Sequence, residues 1–210
     1  MNKLERQTNY QEALSRALEC VRRRPARNLA ALGAREAPSQ RLELPVLERI
    51  FLIDLGAGTV ALSDGRGAAS EESLRIGWKI LALHYLSADV PWPPCASWRS
   101  FGDLPEARGY ESVYSARVIG WLCATAGQER DQLAAAATRL GAQPVPLGDE
   151  GFRFQFFPRL EVRLAWYAGD EELGPGVSFL YPDNVLCFLS VEDVVVLSES
   201  LVGRLSRKGW

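Results

Sequence analysis

Two short acidic segments are the parts of this sequence whose residue types could do chemistry. The first is GDEG at residues 148–151, which contains Asp149 and Glu150, and the second is GDEE at residues 169–172. Neither segment contains a lysine or an arginine, so carboxylates brought together there would repel one another unless a cation joined them. Such clusters bind divalent cations such as Mg²⁺ or Ca²⁺, or raise the pKa of one carboxyl group so that it acts as a general acid.

The residues between these segments predict that they meet. FRFQFF and LEVRLAWY alternate apolar and polar residues on either side of Pro158, which is typical of two antiparallel strands joined by a tight turn. In such a hairpin, the residue before the first strand lies beside the residue after the second. The sequence therefore predicts a shared acidic rim. Its members are Asp149, Glu150, Asp170, Glu171 and Glu172.

The acidic rim has two interpretations. In the first it is a binding site, and Asp170 and Glu171 are candidate ligands of a divalent cation. In the second the carboxylates only face water at the ends of strands, because the glycines around them supply turn geometry. Asp183 is not expected to join the rim, since it would lie at the far end of its strand, about 20 Å from Asp170 at ~3.3 Å per residue.

His84 and Trp98 are the other candidate binding residues. His84 is the only histidine and follows Leu81 at helical spacing, which favours a core histidine and leaves a general base or a metal ligand as alternatives. Trp98 lies in residues 90–105, a segment rich in proline and tryptophan. That segment could line a pocket for a flat ligand, form a partner-binding surface or cover the core.

Periodicity predicts a single α+β domain over residues 1–210, with a mainly antiparallel sheet packed against helices. Short β-prone runs predict a three-stranded meander that precedes the hairpin; they are residues 41–47, 49–55 and 59–63. Apolar residues at helical spacing predict the helices. These are residues 10–24, 25–34, 109–126 and 128–140, a buried central helix that begins at Ser70, and a last helix that follows Ser190.

Composition excludes several classes of protein. The net charge of −2 predicts no affinity for nucleic acid, and no apolar run is long enough to span a membrane. The four cysteines are far apart in the sequence and lack metal-ligand spacing. Free cysteines suit a reducing compartment, so the sequence predicts a cytoplasmic protein.

Four stretches together resemble the prokaryotic domain-of-unknown-function family 3786. They are KILALHYL, WRSFGDLP followed by Gly109 and Tyr110, LAWYAGDEEL, and LSVEDVVVL. The sequence departs from that family's pattern at Leu173, where an aromatic residue is usual, and at LYPDN, which stands in place of Leu-Phe-Asp. The resemblance covers most of the chain and implies a fold, but it implies no activity.

Two functions remain open at this point. The first is a non-catalytic accessory domain that binds a protein partner, a small molecule or a cofactor, because no recognised catalytic constellation is present. The second is a small cation-assisted enzyme, resembling a hydrolase, that would use Asp170 and Glu171 of the acidic rim with Asp149 or His84.

Overall fold

The computed structural model describes residues 3–38, 40–170 and 172–210, with side chains from residue 9 onward. These residues form helices and two antiparallel sheets, which confirms the prediction of an α+β protein. The chain divides into two compact units, one made of the residues up to Pro91 together with Trp210 and the other of residues 92–209. The single domain over residues 1–210 stays a prediction.

The first unit combines helices with a four-stranded sheet. Its elements are α1 (Lys3–Arg22), α2 (Ala26–Ala31), β1 (Arg35–Ala37), β2 (Arg41–Val46), β3 (Arg49–Asp54), β4 (Thr59–Leu62) and α3 (Ile76–Leu86). The strands follow one another in the order β1-β2-β3-β4, and each pairs antiparallel with the next. Strands β2 to β4 are the predicted meander, and β1 extends it by one strand.

Helix α3 is the buried helix that its apolar sequence predicts. It packs against α1, and its residues Trp78, Leu81 and Tyr85 are buried. The one polar atom at the end of Tyr85 is satisfied, because its hydroxyl donates to the carbonyl of Leu32 at 2.7 Å. A helix that is apolar on nearly every side is stable only when other elements surround it in this way.

The beginning of α3 differs from the prediction. The helix starts at Ile76 and not at Ser70. The N–H of Ser70 donates to the carbonyl of Leu62 at 2.7 Å, and its hydroxyl accepts from the N–H of Glu72 at 3.1 Å. Serine competes for backbone partners in this manner in turns as well as at helix ends, so the serine and the acidic residues after it form a turn that follows β4.

Trp210 is part of the core of the first unit. Its ring is 2% exposed and lies 4.7 Å from the ring of Trp78 and 5.8 Å from that of Phe51, centroid to centroid. The guanidinium of Arg49 lies over it at 6.0 Å, and its carbonyl accepts from the N–H of Arg75 at 3.1 Å. The residue therefore closes an aromatic cluster formed mainly by residues more than a hundred positions earlier.

The second unit combines a five-stranded sheet with short helices and one long helix. Its elements are β5 (Trp98–Arg99), α4 (Glu111–Tyr114), α5 (Gly120–Cys123), α6 (Arg130–Arg139), β6 (Gln143–Pro144), β7 (Glu150–Phe157), β8 (Leu160–Tyr167), β9 (Gly176–Pro182) and α7 (Val191–Leu205). The strand order is β5-β9-β8-β7-β6. Sequence periodicity predicted one sheet from all of the strands, whereas the structure separates the meander and the hairpin into two sheets.

The hairpin and the last helix follow their sequence patterns closely. In β7, Phe152 and Phe154 are buried and Arg153 is exposed, as alternation along a strand requires. At the start of α7, the N–H of Asp193 donates to Ser190 Oγ at 3.1 Å, and the N–H of Ser190 donates to Asp193 Oδ2 at 3.2 Å. This reciprocal arrangement is a capping box, which the residue spacing predicts.

The helix predicted over residues 109–126 is interrupted. A 3₁₀ turn at Ala107–Tyr110 leads into α4, a π-helical turn at Ser115–Ile119 follows, and α5 ends at Cys123. Helix α6 matches the second predicted helix of this region. None of the described helices is both long and apolar enough to cross a membrane.

Candidate functional site

The first acidic segment lies beside the end of β8, just before the second segment begins. Strands β7 and β8 pair antiparallel with Glu150 opposite Trp166, and the turn between them falls at residues 158–159. The N–H of Asp149 donates to the carbonyl of Trp166 at 2.9 Å, and its carboxylate accepts from the N–H of Ala168 at 2.8 Å. The predicted hairpin is therefore observed and brings Asp149 beside Ala168, whereas the shared acidic rim stays a prediction.

Two further carboxylates of the acidic rim have partners within the protein. Asp170 accepts from the N–H of Leu173 at 2.8 Å and from that of Glu172 at 2.9 Å. These two backbone hydrogen bonds, with the one from Leu173 as the larger cause, hold the pKa of Asp170 below its usual range. Glu150 forms an ion pair with Arg130, with 2.5 Å between its Oε2 and the arginine Nε. Turn closure and ion pairing are structural roles.

The role of the acidic rim in binding a cation stays a prediction. Among the residues that the structure describes, no group of three or more histidine, cysteine, aspartate or glutamate side chains is placed to hold a metal ion. Glu171, one of the two candidate ligands, lies outside the described residues. The carboxylate of the other, Asp170, closes its own loop.

We expect Asp170→Ala to loosen this loop. The N–H groups of Glu172 and Leu173 lose their acceptor, so the amide of Leu173 should exchange faster with solvent deuterium and the melting temperature should fall slightly. Amide exchange followed by NMR measures the first effect. Glu172→Ala is the control, because the carboxylate of Glu172 forms no ion pair or hydrogen bond with a described residue, and it should leave both quantities unchanged. A higher melting temperature for Asp170→Ala would instead indicate relief of charge repulsion, as expected at a binding site.

Trp98 lies in the segment that the sequence marks as a pocket or a cover. The guanidinium of Arg163 stacks over its ring at 3.7 Å from the centroid, which is a cation–π contact. The two residues before Trp98 are held by Asp183. Its carboxylate accepts from the hydroxyl of Ser97 at 2.9 Å and from the N–H of Ala96 at 3.1 Å. One face of the Trp98 ring is therefore covered by the protein itself, and the binding role of Trp98 stays a prediction.

His84 lies on α3, where it is half-buried. It belongs to the first unit, whereas every described member of the acidic rim belongs to the second. The position on an apolar helix is the one that the spacing predicts. Its alternative roles as a general base or a metal ligand stay predictions.

A chain of hydrogen bonds links three buried hydroxyl groups in the second unit. The hydroxyl of Tyr181 lies 2.9 Å from that of Tyr114 and 2.5 Å from that of Ser198. Because Ser198 donates to the carbonyl of Val194 at 2.6 Å, it must accept from Tyr181, and Tyr181 must accept from Tyr114. Burial is the main cause that raises the pKa of both tyrosines above its usual range. These three residues are distant in sequence, so no local pattern indicates the chain.

A groove of about 690 Å³ is open in the second unit between α5, α6 and the residues that follow α7. Ala136 of α6 and Leu205 of α7 form part of its buried base, while the exposed residues Ala135 of α6 and Trp121 of α5 contribute apolar surface and an aromatic ring. This volume falls within the roughly 300–1,000 Å³ of known small-molecule sites, which are mostly apolar with a few polar groups. We call it the α5–α6 groove.

Charged side chains lie around the α5–α6 groove. Arg139 and Arg207 line it, and among the residues that the structure describes Asp131 is the one carboxylate in its lining. Lys208 is adjacent, since its ammonium lies over the ring of Trp121 at 3.7 Å from the centroid. Cations therefore outnumber carboxylates here, although the chain as a whole has a net charge of −2.

The helical periodicity of this region predicted helices but did not indicate the groove. Ala136 and Ala137 do face the core, but Ala135 is exposed. The available signal was the run of four alanines at residues 134–137, because alanines on every side of a helix leave space beside it that larger side chains would fill. Only the packing of α6 beside Trp121 shows that this space stays open.

A family model described as "Domain of unknown function (DUF3786)" matches residues 25–204. The chain belongs to this family. The resemblance drawn from the sequence is thereby confirmed, while the prokaryotic distribution stays an expectation. Searches of curated proteins and of solved structures each found no match. The DUF3786 match includes Trp121 and Arg139 of the α5–α6 groove, whereas Arg207 and Lys208 follow its last residue.

Proposed function

We propose that this protein is a non-catalytic ligand-binding protein and that the α5–α6 groove of its second unit binds a small organic molecule. The observation that carries the proposal is the groove itself, at about 690 Å³, whose lining combines apolar residues such as Trp121 and Ala135 with polar and charged ones. Small-molecule sites have this size, and their polar groups fix the orientation of a ligand that packs on the apolar surface. The free thiols of all four cysteines support a reducing compartment, which we propose is the cytoplasm.

Trp121 supports the proposal further. Its side chain is 41% exposed, although it is large and apolar. Its backbone carbonyl accepts from the hydroxyl of Thr125 at 2.7 Å, and the same hydroxyl lies 2.8 Å from that of Ser206. These contacts connect α5 to the residues after α7, so both walls of the groove are held in place. An aromatic ring on a fixed wall is a suitable stacking surface for a flat ligand.

The test uses phenylnaphthylamine, an uncharged flat probe whose fluorescence rises in apolar sites. We expect saturable binding at one site per chain, and we expect Trp121→Ala to weaken it by about tenfold, since aromatic stacking contributes about 0.5–1.5 kcal/mol beyond burial. Fluorescence titration of the full chain measures both.

Tyr167→Ala is the matched control for this experiment. Tyr167 is exposed to a similar extent, 44%, but it lies on β8 and does not line the groove. Its substitution should leave the affinity for phenylnaphthylamine unchanged. Binding that does not saturate, or an equal loss in both variants, would contradict the proposed function.

A further inference from the structure

The arginines of the α5–α6 groove differ from most other arginines of the protein. Within the described part of the chain, the guanidinium groups of Arg139 and Arg207 form no ion pair and no hydrogen bond, whereas Arg130 and Arg163 pair with glutamates. Both unpaired groups line the same groove. Guanidinium groups bind carboxylates and phosphates through paired N–H donors. We propose, on the basis of the proposed function, that the ligand is a flat aromatic molecule that carries a carboxylate or a phosphate group.

The aromatic part of this ligand is assigned to Trp121. The ring is exposed on the groove wall, and the Lys208 ammonium covers one of its faces at 3.7 Å. A flat ring that stacks on that face displaces the ammonium toward the edge of the ring. There, the ammonium can pair with an acidic group of the ligand, because its three donors no longer face the ring.

The charge balance favours an anionic ligand over a cationic one. A cationic ligand would compete with Lys208 for the ring and would be repelled by Arg139 and Arg207, with only Asp131 to attract it. An anionic ligand meets three cations and one carboxylate. All of these side chains except Lys208 are part of the groove lining, so the preference is local to this site.

Helix geometry offers a structural explanation that the experiment must separate from ligand binding. Arg139 lies in the last turn of α6, and Arg207 follows the end of α7. Cations at helix C-termini stabilise the helix by interacting with its dipole. If that were their only role, removing the two charges would lower the melting temperature and leave ligand affinity unchanged.

The experiment compares an anionic probe with an uncharged one. Anilinonaphthalene sulfonate and phenylnaphthylamine have similar rings, but only the first carries an acid group. We expect the double variant Arg139→Gln, Arg207→Gln to bind the sulfonate at least about tenfold more weakly, because it loses two charged hydrogen-bond donors to the acid group. It should bind phenylnaphthylamine within about twofold of the original protein. Added KCl should lower the affinity for the sulfonate and leave the affinity for phenylnaphthylamine unchanged. Arg108→Gln is the control, because Arg108 is exposed in the same unit but does not line the groove.

Competition identifies the acid group. Naphthoate and naphthyl phosphate should both displace the sulfonate probe, and uncharged naphthylmethanol should displace it much less. The better of the two acidic competitors shows whether the groove prefers a carboxylate or a phosphate. If the double variant retains full affinity for the sulfonate while phenylnaphthylamine still binds, the ligand class is wrong and the proposed function stands. If neither probe binds saturably, the proposed function itself is wrong.

Discussion

Replacing Trp210 with alanine is expected to lower the free energy of unfolding of the first unit by about 3–5 kcal/mol. The indole is 2% exposed and packs against Trp78 and Phe51. Its removal leaves a cavity between α3 and β3 and deprives Arg49 of its aromatic partner. The cost of such a cavity adds to the lost burial of the ring, because the surrounding side chains collapse only in part.

Urea denaturation measures the loss in free energy of unfolding, and amide hydrogen exchange shows whether that loss occurs in the first unit. Amides of β3 should lose protection, since this strand carries Phe51, while amides of β8 in the second unit report whether the effect is confined. Trp121→Ala is the matched control, because it removes the same side chain from an exposed position, and we expect it to change stability by less than about 1 kcal/mol. Equal effects of the two substitutions would contradict the assignment of Trp210 to the core.

Tyr181→Phe is expected to destabilise the second unit by about 1–3 kcal/mol, the penalty for leaving a buried donor without a partner. The hydroxyl of Tyr181 stands in the middle of the buried chain, so its loss removes the acceptor of Tyr114 and the donor to Ser198 together. The site is closed to solvent, so bulk water cannot replace the lost hydroxyl.

Tyr114→Phe tests the direction of that chain. Tyr114 is the terminal donor, so its loss leaves the hydroxyls of Tyr181 and Ser198 still paired with each other, and the expected cost is only about 0.5–1.5 kcal/mol. Chemical denaturation of both variants, with the double variant to complete a cycle, measures the difference. A larger loss for Tyr114→Phe than for Tyr181→Phe would show that the hydrogen bonds run the other way.

Local patterns were sufficient for the elements that carry their own signals. The alternation on both sides of Pro158 predicted the hairpin, and the antiparallel register then brought Asp149 beside Ala168 without further assumptions. The spacing of Ser190 and Asp193 predicted the start of α7. In these cases neighbours within a few positions satisfy the backbone, so the sequence alone contains the relevant interactions.

The remaining features depend on residues that are distant in the chain. The ion pair of Glu150 joins it to Arg130 of α6, and Trp210 completes a core built from β3 and α3. The α5–α6 groove depends on how α6 packs beside Trp121. The sequence by itself determined the α+β class, the hairpin with Asp149 beside Ala168, and the capped last helix, because those follow from short-range periodicity. Only the tertiary structure decided which carboxylates find partners and where a groove stays open, because burial and ion pairing depend on contacts that no local pattern encodes.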